Sequence, residues 1–331
     1  MALFLFSITM PHTTIYAQED PLSPEAQEAM NRGLSAARQQ EWELAIKYFS
    51  EARRAANDSR SAMFNLAMAY DKAGRYELLA ITWYRAYLAA ASAARDLQPQ
   101  NQKVRERVTD LEVKAEANIQ RLIQRAKEMV AAGHPSSHGG WYDMEVRDYG
   151  KETADRRADN EWRSWRYQKI AEAQARIGDI DGARATVAGI SDRMHPVKDS
   201  AYADIAGAQA RVWDFAGAKV TAARIINDRT REVAYSEIAR LQADADDSVA
   251  RRAGDSEADR VRSERFSWEM VLPFEGVIFP DWQTFSASLK NKKPDEAADA
   301  VIEVVKNLAE SFLKIRVNEA IWKRLRTQAN R

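Results

Sequence analysis

Among the residues able to do chemistry, His134 and His138 come first. They stand four apart, the spacing that sets two imidazoles on one helix face as metal ligands, with Asp143 and Glu145 following as oxygen donors. Pro135 and the pair Gly139-Gly140 interrupt any helix across them. The stretch therefore reads as a solvated loop, with a loop metal site using Asp143 or Glu145 as the alternative. His12 lies in an apolar leader, and His195 precedes Pro196 in a turn between repeats. Asp179 and Asp181 ahead of Gly182 have the spacing of the first ligands of a calcium loop, but the third acid and the closing glutamate are missing. The related run Asp214-Phe215-Ala216-Gly217 lacks one acid more, so both runs read as punctuation between repeating units. Asp244, Asp246 and Asp247 read as a solvated acidic cluster.

The chain has no cysteine, which excludes disulfides, thiolate metal sites and a cysteine nucleophile. It carries no phosphate-cradling glycine loop, dinucleotide fingerprint, zinc-protease motif or nucleophile elbow. No carboxylate pair separates itself from the 49 acidic residues as an acid–base couple. No catalytic residue, metal or cofactor is assigned on these grounds, and the expected class is non-enzymatic. An enzyme or enzyme subunit, with its site in the C-terminal segment or between repeat blocks, is the alternative.

The elements that would hold these residues are helices. Only 13 glycines and 9 prolines occur in 331 residues, so turns needing a positive or fixed φ are few, which argues against a sandwich or barrel. Basic and acidic residues number 49 each and are interspersed, and the most basic run, 323–331, is short, so no nucleic-acid partner is expected. The apolar run from Ala2 to about Met10 is far short of the roughly 20 residues of a membrane span, and no longer apolar run follows, so no transmembrane segment is expected. Ile15-Tyr16-Ala17 ahead of Gln18-Glu19-Asp20 offers a small residue at a cleavage position. Residues 1–17 are expected to be a signal peptide, without the usual basic start, and the mature chain to be periplasmic or secreted. A cytoplasmic regulator is the alternative.

Self-similarity organises the rest. At an offset of 34, Gly33, Trp42, Ala45, Phe49 and Ala52 align with Ala67, Tyr76, Leu79, Trp83 and Ala86, and Tyr70 and Gly74 complete the second copy. Each copy reads as two helices with a break near Gln40 or Gly74. This pattern resembles the tetratricopeptide repeat across residues 25–92, although Asn57 and Ala91 stand where its closing proline is usual. A second block repeats at 35: Ile170-Ala171-Glu172-Ala173-Gln174-Ala175-Arg176 returns as Ile205-Ala206-Gly207-Ala208-Gln209-Ala210-Arg211, and Ile190 returns as Ile225. It resembles degenerate units of the same kind, and a weaker third copy begins at Ile238.

The resemblance implies a concave face lined by the first helix of each pair. Met30, Leu34, Phe64 and Met68 fall there in the first block, suited to an amphipathic helix or apolar peptide unless a neighbouring helix covers them. The equivalents in the second block, Gln168, Glu172, Ala203 and Gly207, form a more polar groove. Arg38, Lys72, Arg176 and Arg211 share one repeat position. This cation column suits an acidic peptide; the alternative is a set of cations placed by helix C-terminal dipoles. The expected fold is an all-α solenoid of helical hairpins with a C-terminal helical cap, and the expected partner is a protein or peptide, docked during envelope assembly or secretion.

Apolar residues from Val104 to Val130 recur at helical spacing and predict a long helix over 101–131. A final helix is expected over 294–328, with Pro294-Asp295-Glu296 at its start and Lys323, Arg324 and Arg326 near its end. Both long helices are assigned as caps. The expected organisation is 18–132 for the first block and its capping helix, 133–160 for a loop and charged connector, and 161–245 for the second block. A charged linker over 246–265 and a C-terminal helical segment over 266–331 complete it. Trp162 and Trp165 are assigned as packing residues.

Overall fold

A computed structural model describes residues 22–92, 98–132, 146–148, 150–252, 255–271 and 278–329. The leader at 1–17 and the His134–His138 loop lie outside the described residues. Every regular element among the described residues is helical. The first four form two hairpins: α1 (Pro24–Arg38), α2 (Trp42–Ala55), α3 (Arg60–Ala73) and α4 (Glu77–Ala90), each packed on the next. Ser23 and Ser59 cap α1 and α3 by accepting from the backbone N–H of Ala26 and Ala62 at 3.2 and 3.1 Å. Each hairpin turns through one left-handed residue, Gln40 (φ 60°) and then Gly74 (φ 79°), 34 positions apart. Most of the aligned residues are buried: Ala45, Phe49, Ala52, Ala67 and Ala86 have no exposure, and Tyr70, Tyr76, Leu79 and Trp83 have little, while Trp42 is half-buried and Gly74 exposed.

The second stack follows the same plan with shorter partners. It comprises α6 (Lys151–Ile177), α7 (Ile180–Ala188), α8 (His195–Arg211), α9 (Phe215–Ala222) and α10 (Asp228–Arg252), after α5 (Gln98–Ala132). Its hairpin turns again use a left-handed residue each, Gly178 (φ 93°) and Trp213 (φ 70°), 35 positions apart. Its first helices contact each other directly, α6 on α8 and α8 on α10, while α7 and α9 pack behind them. Alanines dominate that core, among them Ala171, Ala183, Ala201, Ala206, Ala218 and Ala222. Small side chains let the backbones approach closely but bury little apolar area each.

Polar clasps compensate. In the first unit Gln174 Nε2 donates to Asp179 Oδ2 at 2.8 Å, Asp179 Oδ1 caps α7 at the Gly182 N–H, and Thr186 Oγ1 donates to Gln174 Oε1 at 2.6 Å. Gln209, Asp214, Gly217 and Thr221 repeat these contacts at the same distances. The punctuation read in the sequence is thus a helix cap whose aspartate, half-buried at Asp179 and exposed at Asp214, is held by a buried glutamine that in turn accepts from a buried threonine. Burial opposes ionisation of Asp179, yet donation by Gln120, Gln174 and the Gly182 N–H carries its pKa below the ordinary carboxylate value.

Two linkers are corrected. Residues 151–160 are not a connector but the first turns of α6, and the 246–265 stretch is the end of α10 followed by α11 (Glu257–Met270), which docks on α4. Pairing of Arg53 with Glu269 holds α2 to α11. A short α12 (Trp282–Leu289) precedes α13 (Pro294–Ala329).

The two long helices were expected to cap the stacks; they join them instead. Helix α5 packs on α4 at one side and on α6 and α13 at the other, while α13 also reaches α4, α10 and α11. The expected α5 stripe from Val104 to Val130 is buried, as are Val301, Val305, Leu308, Phe312, Ile315, Trp322 and Leu325 of α13. Of the two expected packing tryptophans, Trp162 is buried, whereas Trp165 is 48% exposed.

A β-carbon on Gly33 would lie 2.5 Å from the Phe49 ring, which has no exposure and no room to retreat. Gly33→Ala is therefore expected to lower stability by about 1–3 kcal/mol through overpacking. Thermal melting checks this, and an unchanged Tm would contradict the close α1–α2 approach.

Candidate functional site

The inner face of the second stack carries a groove of about 420 Å³ built by α6, α8 and α10. Glu172 and Arg176 come from α6, Ala203, Asp204, Gly207 and Arg211 from α8, and Arg229, Val233 and Glu237 from α10. The parallel setting of these first helices, fixed by the clasps behind them, brings residues 35 apart to one surface. Gly207 forms the floor: a β-carbon there would meet nothing within 4 Å. Val233 stands at the groove 63% exposed.

The carboxylates are committed. Glu172 pairs with Arg176 at 2.5 Å, and Arg176 also reaches Glu310 of α13 at 3.2 Å. Glu237 pairs with Arg240 at 2.7 Å, and this bond, against some desolvation, lowers its pKa. Asp204 accepts from Gln168 Nε2 at 3.0 Å. Burial raises the Asp204 pKa, Gln168 opposes that shift, and the charge of Glu172 adds to it. Among the described residues Arg211 and Arg229 form no ion pair, although the charge of Arg211 is felt by Asp204 and Glu237 across the groove.

The expected site residues divide accordingly. Arg176 and Arg211 face this groove with Glu172, Ala203 and Gly207, as the repeat register implies, while Gln168 stands beside it, bonded to Ser200 and Asp204. Arg38 and Lys72 are exposed but do not line it, so the four-cation column is not one continuous surface. Met30 is core at 5% exposure. Leu34 and Phe64 are half-buried against that core, and the Phe64 ring meets those of Tyr84 and Tyr87 edge-on at 5.8 and 5.4 Å. Met68 is half-buried. Neighbouring elements thus occupy much of the first block's expected apolar surface.

Arg229, Val233 and Glu237 were missed because the third copy fades. Their spacing of four on one helix face was the available signal. Among the described residues no cluster of His, Asp or Glu has the arrangement of a metal site. His195 starts α8, as its turn position suggested.

A raised folded-state pKa for Asp204 means that the folded state holds its proton longer than the unfolded chain. Stability from this group is then greatest below the ordinary carboxylate range and declines as pH rises through the folded pKa. Asp204→Asn is expected to gain Tm relative to the parent as pH rises above the ordinary carboxylate range; parallel melting curves across that rise would contradict the burial argument.

Comparison with protein-family models, curated proteins and solved structures finds no match for this chain.

Proposed function

We propose that this chain is a non-catalytic docking scaffold of tetratricopeptide-like design, which holds a peptide or helix of another protein on an inner face. The reading rests on one observation above others: the second stack leaves an unfilled groove with a glycine floor and cations that form no ion pair among the described residues. A glycine in a helix interior costs roughly 0.5–1 kcal/mol relative to alanine, and nothing among the described residues lies within 4 Å of the position a β-carbon would take. Keeping a destabilising residue at an open surface fits a need for room there. The first-block residues Met30, Leu34, Phe64 and Met68 contribute less, since the core takes up Met30 and part of the others.

Ala17 ahead of Gln18-Glu19-Asp20 supports export, and envelope assembly or secretion is the setting we propose. Amino-terminal sequencing of the mature chain tests this: Gln18 at the start supports export and an intact Met1 opposes it. No helix among the described residues is long and apolar enough to cross a membrane.

Gly207→Leu separates docking from folding. The substitution adds helix propensity and projects a side chain into the groove, so Tm should hold or rise while partner retention falls. Affinity capture from native envelope, with the parent and the Leu variant side by side, is expected to recover a protein retained only by the parent. Equal recovery by both, or turnover of a substrate by the purified parent, would overturn the reading.

A further inference from the structure

Arg211 stands in the wall of two hollows at once. One is the groove on α6, α8 and α10; the other, of about 340 Å³, lies against α13. Val271, Leu313, Val317 and Ile321 give the second hollow apolar walls, with Glu310 and Lys314 at its edge. Positions 310, 313, 314, 317 and 321 fall on one face of a helix by their spacing. Asn318 also lines it at 8% exposure, and its Nδ2 has no acceptor among the described residues. A buried donor without an acceptor is costly, and a backbone carbonyl of an occupant would relieve it.

Charge gives the occupant its sign. Around both hollows Glu172 and Glu310 pair with Arg176 and Glu237 with Arg240, while Asp204 accepts from Gln168 and feels the charges of Arg176 and Arg211 without a direct ion pair. Arg211, Arg229 and Lys314 form no ion pair among the described residues. Three cations without a direct ion pair, beside an aliphatic trough, suit a ligand with carboxylates at one end and branched apolar side chains at the other. Among the described residues no aromatic side chain lines either hollow, so those residues offer no stacking surface of the kind that single-stranded nucleic acid uses.

We propose that the two hollows form one cleft, and that its occupant is an acidic amphipathic segment of a partner protein. Its aliphatic side chains lie over Val271, Val317 and Ile321, and its carboxylates pair with Arg211 and Arg229. This rests on the docking reading above and narrows it to one partner chemistry.

Fluorescence anisotropy on the full chain tests the proposal. The probe is a short labelled peptide with a leucine-rich half and a glutamate-rich half, compared with an all-glutamate peptide and a leucine–lysine counterpart. The two-part acidic peptide should bind best and weaken as salt rises. Arg211→Ala and Val317→Asp should each reduce its affinity about tenfold, as expected for a lost charged contact or an acid placed in an apolar trough. Both sites lie at or near the surface, and a thermal melt confirms that the variants fold. Arg38→Ala, outside both hollows, should leave binding unchanged. Equal binding of the all-glutamate peptide, or equal loss to a single-stranded DNA competitor, would overturn the composite cleft. Absence of peptide binding while affinity capture still yields a Gly207-dependent partner would sink this proposal and leave the docking reading standing. Failure of both experiments would remove both.

Discussion

The burial of α13 against two separate helix stacks is the constraint on which the rest of the structure depends. A stack of hairpins leaves an apolar face at each end, because each hairpin is covered only by its neighbours. Here α5 closes the first stack, α6 opens the second, and α13 lies along both. Nine large apolar residues of α13, from Val301 to Leu325, are almost fully buried. Each contributes about 1.5–3 kcal/mol by leaving water. The ion pairs along the same helix, Asp299 with Arg166, Glu310 with Arg176 and Glu319 with Arg85, are partly exposed and weaker singly. Apolar burial therefore holds the helix in place, and the charges fix its register against α6 and α4.

That register builds the cleft. Arg316 of α13 passes so close to Gly178 that a β-carbon there would lie 2.0 Å from its Nη1. Arg324 lies over the Trp213 ring, 5.0 Å from its centroid, and pairs with Asp246 of α10 at 3.0 Å. The C-terminal helix thus touches the second stack at both of its hairpin turns. Its outward face, carrying Lys314 and Val317, forms the trough beside Arg211. The clasps within the stack and the seam along α13 act on the same two turns from opposite sides, so core packing and the walls of the groove depend on the same turns.

Much of the helical plan was legible in sequence, and for identifiable reasons. The α5 stripe follows a period that only a helix satisfies, so its buried positions could be named one by one. The hairpin turns at Gln40 and Gly74 were visible as breaks and those ahead of Asp179 and Asp214 as punctuation, although Gln40 and Trp213 hide a left-handed backbone under side chains that do not announce it. The role of α13 as a joint was not legible. Its amphipathic pattern states that one side is buried but says nothing of which elements bury it. The 246–265 stretch misled because its charges form contacts such as Arg265 with Asp58 and Glu264 with Arg326 across long sequence separations. Of the site, repeat register placed Arg176 and Arg211 correctly beside Glu172, Ala203 and Gly207, but the contribution of α10 and α13 depends on tertiary contacts that no local pattern encodes.

Native-state hydrogen exchange of the α13 amides tests the central claim most directly. A helix that ties two stacks together opens only when both are disrupted, so residues 298–325 should exchange as slowly as the buried faces of α5 and α6, and in the same cooperative step. Fast exchange along α13 while α5 and α6 remain protected would show a peripheral helix and contradict the account.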